Sequence, residues 1–180
     1  EPIAELKFEG ELPAGAVEIE QFENGELELQ FVVSDAIYDG RFAKNVWLQE
    51  LPQAMTRLTW DNAALVSPLT SKKLGLKQGE FARIQHGGKE IELPVFIMPG
   101  QAPGTIVAHL GYGRVCRDEA VDSDDEVKVG FDLAPLRSLD AMNVLTGVEV
   151  RPMSRPYKLA TTQDHFAIDE TGQWGIERRV

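Results

Sequence analysis

The sequence predicts a mainly β fold with short helices, closing as a barrel or packing as a sandwich. Two patterns carry that expectation. Apolar and polar residues alternate with period two in several short runs, and Gly, Pro and Asn-Gly turn signals cut the chain into blocks of strand length. The composition agrees with a packed domain. Of 180 residues 43% are hydrophobic and 26% charged, ordinary values for a globular chain. A chain of this length buries roughly 70% of its unfolded surface and needs no covalent staple.

The elements follow in order. Leu27, Leu29, Phe31 and Val33 fall on one face of a strand, with Glu26, Glu28 and Gln30 on the other. Asn24-Gly25 just before them is a hairpin signal, with Val17 and Ile19 in the preceding strand. Ser67 is a candidate N-cap, Pro68 the first helical residue and Gly75 the C-terminal stop, which predicts a two-turn helix between them. Phe81–Gln85 and Lys89–Ile97 form a hairpin about His86-Gly87-Gly88. Because Pro94 cannot donate to a ladder, its strand is expected at an edge or with a bulge. Thr105–Leu110, Val127–Phe131, Val148–Val150 and Tyr157–Thr161 complete the set of strands, and Leu133–Leu139 is a second candidate helix. Arg151-Pro152 and Arg155-Pro156 read as breaks in regular structure. The expected organisation is an acidic arm or first hairpin over 1–25, a barrel over 26–152, and a linker over 153–180.

Charge and residue usage exclude several functions. The net charge of −11 repels phosphate backbones, so no nucleic-acid partner is expected. Residues 1–30 carry nine Glu against the single Lys7, the composition of a solvated arm. No apolar run approaches the roughly 20 residues of a membrane helix, so no direct membrane insertion is expected. Cys116 stands alone, which excludes a metal cluster or thiolate zinc site held by this segment. No Gly-x-Ser-x-Gly elbow, Walker loop or His-Glu-x-x-His appears. The chain opens at Glu1 with no signal-like segment, and it is expected to be a piece of a longer protein.

What remains are weak constellations. His86 belongs to a turn and reads as a surface residue; His109 lies at a strand end, where a satisfied core histidine is the plainer reading; His165 pairs with no ligand set. The acidic run Asp118, Glu119, Asp122, Asp124, Asp125 and Glu126 offers hard oxygen ligands for calcium, but its spacing misses the EF-hand and a solvated loop is favoured. In Gly111-Tyr112-Gly113-Arg114 the glycines would let backbone approach a ligand and Arg114 would pair with a phosphate; an ordinary turn reads the same way. Arg41, Asn45 and Trp47 form a second patch, with Asn for a heterocycle edge and Trp for stacking. The alternative is a loop that Trp47 anchors to the core.

Longer motifs carry a resemblance. The run Trp60-Asp61-Asn62-Ala63-Ala64-Leu65-Val66-Ser67-Pro68, then Leu74-Gly75-Leu76-Lys77-Gln78-Gly79-Glu80, resembles the C-terminal molybdopterin dinucleotide-binding domain of the molybdopterin oxidoreductases. Gly79-Glu80 stands where that family has Gly-Asp. Together with Asn45–Pro52, Leu110–Arg114 and Ala134–Arg137, the sequence is similar to the fused molybdopterin-like and iron–sulfur subunits of alternative complex III. The resemblance covers about Leu27 to Val150. It implies a double-psi β-barrel, and residues facing molybdopterin guanine dinucleotide at Ser34, Asp35, Arg41, Asn45, Trp47, Asp61, Asn62, Gly111, Tyr112, Gly113 and Arg114.

It further implies a noncatalytic segment of an oxidoreductase component. The partners would be other domains of the same parent chain and subunits of a membrane-associated electron-transfer complex, in the periplasm or at a membrane. That subgroup is thought to have lost the molybdenum cofactor. Gly130-Phe131-Asp132-Leu133 and the absence of a His- and Thr-rich run near Tyr38–Asn45 favour such loss. A functional dinucleotide-binding domain and a protein-recognition module are the alternatives.

Overall fold

The computed structural model describes residues 22–117 and 126–162. Their strands are β1 (Leu27–Val32), β2 (Ala64–Val66), β3 (Glu80–His86), β4 (Lys89–Ile97), β5 (Thr105–His109), β6 (Arg114–Arg117), β7 (Glu126–Val129) and β8 (Val144–Pro156). Helix α1 covers Val46–Glu50 and α2 covers Pro68–Leu74.

Six strands close a barrel in the order β1-β5-β2-β4-β3-β8, while β6 and β7 form a separate ribbon. β1 and β5 are parallel, as are β2 and β4; the other four contacts are antiparallel. Exchanging β1, β2 and β3 for β4, β5 and β8 reproduces the same circular order and the same senses. This internal two-fold with its two interlocked parallel pairs is the double-psi arrangement. Closure also removes the open sheet edges that a flat assembly would expose.

The core follows from the alternation. Leu27, Leu29 and Phe31 of β1 face inward with Ala82, Ile84, Ile91, Leu93, Val95, Ile106, Ala108, Val148 and Val150, all buried. Full burial of each Leu, Ile or Val contributes about 1.5–3 kcal/mol. Val33 leaves that face, because β1 ends at Val32 and the chain turns outward. Helix α2 forms as its punctuation requires. Ser67 Oγ accepts from Thr70 N at 3.0 Å, Pro68 opens the helix, and Gly75 closes it at φ +67°. Gly87 and Gly88, with φ +57° and +78°, make the β3–β4 turn.

Several expectations change. Pro94 lies opposite Phe81 at the end of the β3–β4 ladder, one residue before β4 pairs with β2; the barrel is closed, so this is a hand-over point and not an outer edge. Pro152 and Pro156 do not break regular structure. Both lie within β8, where the partner strand shifts register between Glu80 and Ala82, and such an irregularity tolerates a missing donor. Residues 157–160 form no strand. The second helix shrinks to a 3₁₀ turn at Ala134–Leu136. Asn24 and Gly25 make a turn ahead of β1, and the Asn24 carboxamide exchanges two hydrogen bonds with the Val150 backbone, at 3.0 and 2.9 Å; the strand expected before that turn lies outside the described residues. Val17, Ile19, the acidic residues 118–125 and His165 lie outside the described residues.

Candidate functional site

Parallel pairing of β1 with β5 puts their C-terminal ends side by side, with Val32 opposite His109. Two segments leave this end together, Ser34–Asp35 after β1 and Leu110–Arg114 after β5, tied by Leu110 N to Val32 O at 2.8 Å. The crossover of residues 33–63 folds over them. Ser34 is buried; its Oγ accepts from Ala36 N at 3.2 Å and contacts Tyr112 Oη at 3.3 Å. Gln53 Nε2 donates to the same Tyr112 oxygen at 3.3 Å, and Thr56 Oγ1 donates to Gln53 Oε1 at 2.8 Å. A buried chain of hydroxyl and amide groups thus joins β1, the crossover and the post-β5 turn.

The glycines of that turn are required by protein backbone. A Cβ on Gly111 would sit 2.6 Å from Gly40 N, and one on Gly113 would sit 2.4 Å from Asp132 N. Their free faces are filled by the chain itself. Asn62, fully buried, staples the same region: its Nδ2 donates to His109 O at 2.8 Å and Phe131 O at 3.0 Å, while Oδ1 accepts from Phe131 N at 2.8 Å. Both amide donors are spent. Asp61 accepts from Tyr157 Oη at 3.0 Å and Ala160 N at 3.2 Å, both in the segment after β8. Burial pushes the Asp61 carboxyl up from its ordinary value. Burial, with Asp61 beside it, pushes the Tyr157 phenol up to about 12, so it remains a donor at neutral pH.

The remaining predicted residues lie further out. Arg41 makes a bidentate pair with Asp39 at 2.9 and 2.8 Å and lies over the Tyr38 ring at 4.8 Å. Hydrogen bonding to Arg41 holds the Asp39 carboxyl down at about 2. Asn45 caps α1, its Oδ1 accepting from Leu48 N at 3.4 Å. Trp47, 84% exposed on that helix, does not anchor the loop; Ile37, Ala43 and Tyr112, with Leu48 packed on them, do. Asp35 is exposed. Burial lowers the basicity of His109 while the charge of Asp35 raises it. Arg114 opens β6, and its Nε has no hydrogen-bond partner.

The structure therefore gathers Ser34, Tyr112 and the two turn glycines, and sets Asn62 beneath them. Asn45 and Trp47 stand apart at the start of α1, and Asp61 is engaged by Tyr157 and Ala160 after β8. Gln49, Gln53 and Thr56 are buried polar residues that composition alone reads as solvated loop. Among the described residues no three His, Cys, Asp or Glu side chains group to hold a metal ion. Nor is any helix there long and apolar enough to cross a membrane. The donors that a dinucleotide would need at Asn62 and Arg41 are engaged within the chain, so these residues do not fit that group as they stand.

The fold is a six-stranded double-psi barrel with an elaborated crossover at one end. No protein-family model matches the sequence, and no curated protein matches it either. Among solved structures the chain is similar to acetylene hydratase from Pelobacter acetylenicus, with 24% identity and a TM-score of 0.39 over 51% of this chain. The match spans 12% of the length of that protein.

Proposed function

We propose that the chain is the dinucleotide-binding-type domain of a molybdopterin-oxidoreductase-like iron–sulfur subunit, serving to pack on and complete the oxidoreductase in an electron-transfer complex without holding pterin itself. The observation that carries this reading is where polarity and apolar surface fall. Ser34, Tyr112, Gln53, Thr56 and Asn62 at the β1/β5 end spend their polar groups on hydrogen bonds within the chain. The crossover above them instead presents Tyr38, Phe42, Val46, Trp47, Leu51 and Met55 to solvent, from 45% to 84% exposed. Engaged donors bind a dinucleotide poorly, whereas aromatic and Met side chains concentrated on one segment suit contact with protein. The partners in this reading are the other domains of the parent chain and, through them, subunits of a complex at the periplasmic or membrane face.

A functional molybdopterin guanine dinucleotide-binding domain is the second reading. Trp47, open for stacking, and the unpartnered Arg114 Nε favour it. Metal and pterin analysis of the purified full-length protein separates the two. Cluster iron without molybdenum, tungsten or pterin is expected; stoichiometric guanine dinucleotide would overturn the packing reading and establish the second.

A further inference from the structure

Three residues other than glycine have positive φ among those described, Tyr38 (+60°), Arg57 (+59°) and Trp60 (+60°), and all belong to the 33–63 crossover. A side chain at such φ crowds its own backbone, so the conformation persists only where surroundings enforce it. At Trp60 the chain makes a tight turn in which Asp61 N donates to Thr59 O at 2.6 Å, the rarer positive-φ form of a three-residue turn.

What enforces it is the segment 157–162. Thr59 N donates to Ala160 O at 2.9 Å and Thr162 N to Arg57 O at 3.1 Å. Leu58 pairs with Thr161 in an isolated bridge. Both carboxylate oxygens of Asp61 are engaged by Tyr157 and Ala160, and Leu159 is buried with Leu58, Ala63, Leu65 and Phe96. Contacts from this strap thus bracket both strained positions.

The same stretch has three outward links. Trp60 N donates to Gln49 O at 3.1 Å, at the end of the helix that carries Trp47. Gln53 N donates to Leu58 O at 3.0 Å, and the Gln53 side chain reaches Tyr112. Asn62, next to Asp61, holds His109 and Phe131.

We propose that residues 157–162 form a conformational strap: their docking holds Arg57 and Trp60 in positive φ, and their release lets the crossover relax, moving the Trp47 helix and the His109–Arg114 turn together. Anything that grips the strap would then change the surface presented at the far side of the crossover. The device goes beyond the packing role proposed above and does not depend on whether pterin binds.

Hydrogen exchange on the full chain tests it. Tyr157→Phe removes the hydroxyl bond to Asp61 while keeping the ring that packs edge-on against Phe81 and Phe131. Amide exchange should rise about tenfold over both 45–51 and 109–114, with the β3–β4 hairpin unchanged. A rise confined to 157–162 overturns the coupling, and so does an equal rise in the hairpin, which would mean global loosening. Arg57→Gly supplies an independent arm, because glycine holds φ +59° without strain. Added to Tyr157→Phe it should return the 45–51 exchange most of the way to the parent rate. An undiminished response would exclude strain as the coupling.

Discussion

Replacing Asn62 by alanine tests the central staple of the β1/β5 end. The side chain is fully buried and makes three hydrogen bonds, to His109 O, Phe131 O and Phe131 N. Asn62→Ala leaves all three backbone groups without that partner, and each buried orphan costs about 1–3 kcal/mol. Partial relaxation recovers some of this, so the expected loss is about 4 kcal/mol, a large share of the 5–15 kcal/mol that holds a typical domain together. With a urea slope near 2 kcal/mol per molar, the unfolding midpoint should fall by about 2 M at unchanged slope.

Asn62→Asp gives an independent reading of the same geometry. It keeps the acceptor for Phe131 N but turns a carboxylate oxygen toward two carbonyls at a fully buried position. The folded-state pKa at position 62 must then lie above its unfolded value near 3.9. A raised folded pKa means that the variant's stability is fully present below the unfolded pKa and is lost as pH rises through the folded one. The variant should therefore be firmer at pH 4 than at pH 7. An alanine midpoint shift below about 0.5 M, or an aspartate variant indifferent to pH, would refute the network.

Three further outcomes follow from single positions. Gly113→Ala, whose new Cβ meets the Asp132 backbone at 2.4 Å, should cost about 3 kcal/mol or more, against about 1 kcal/mol for Gly87→Ala, where the space is open and only positive φ is penalised; equal midpoint shifts in denaturant would contradict the close approach. If the proposed packing role holds, Trp47→Ala should leave chemical stability within about 0.5 kcal/mol while weakening association with the proposed partner domains by about 2 kcal/mol, measured by titration calorimetry; unchanged association would exclude Trp47 from the proposed packing surface. Asp61 has a raised folded pKa, so its contribution is present below the unfolded pKa and fades as pH rises through the folded value. Thermal melts across pH 4–8 should show this slope in the parent chain and not in Asp61→Asn, whatever the offset between the two; parallel curves would place the titration elsewhere.

How far the fold could be read depended on whether the signal was local. β1 and β4 are legible because each needs only its own alternation, and α2 because Ser67, Pro68 and Gly75 lie within one short stretch. β8 was not legible as one strand: Pro152 and Pro156 look like breakers until the register shift in β3, some 70 residues away, is known. The two-fold of the barrel is invisible for the same reason, since strand order and sense repeat while residues do not. Gln49, Gln53 and Thr56 have the composition of a solvated loop, and only the return of Tyr112 beside Ser34 makes two of them interior.

Gly111 and Gly113 mark the limit of sequence reasoning about the site. A Gly-Tyr-Gly-Arg run says that side chains are not tolerated at two positions, but not what occupies the space. Here it is Gly40 on one side and Asp132 on the other, so the glycines permit chain crossing before any question of ligand approach arises. The barrel's symmetry sharpens the point. The connection equivalent to residues 33–63 in the second half is the short 98–104 loop, and every described non-glycine positive φ and seven exposed large apolar side chains fall in the long copy. A double-psi barrel needs only a short connection there, as its own second half demonstrates. The extra length, its strain and its apolar surface are therefore not demanded by the fold, and they make the crossover the part of this domain where function should be sought.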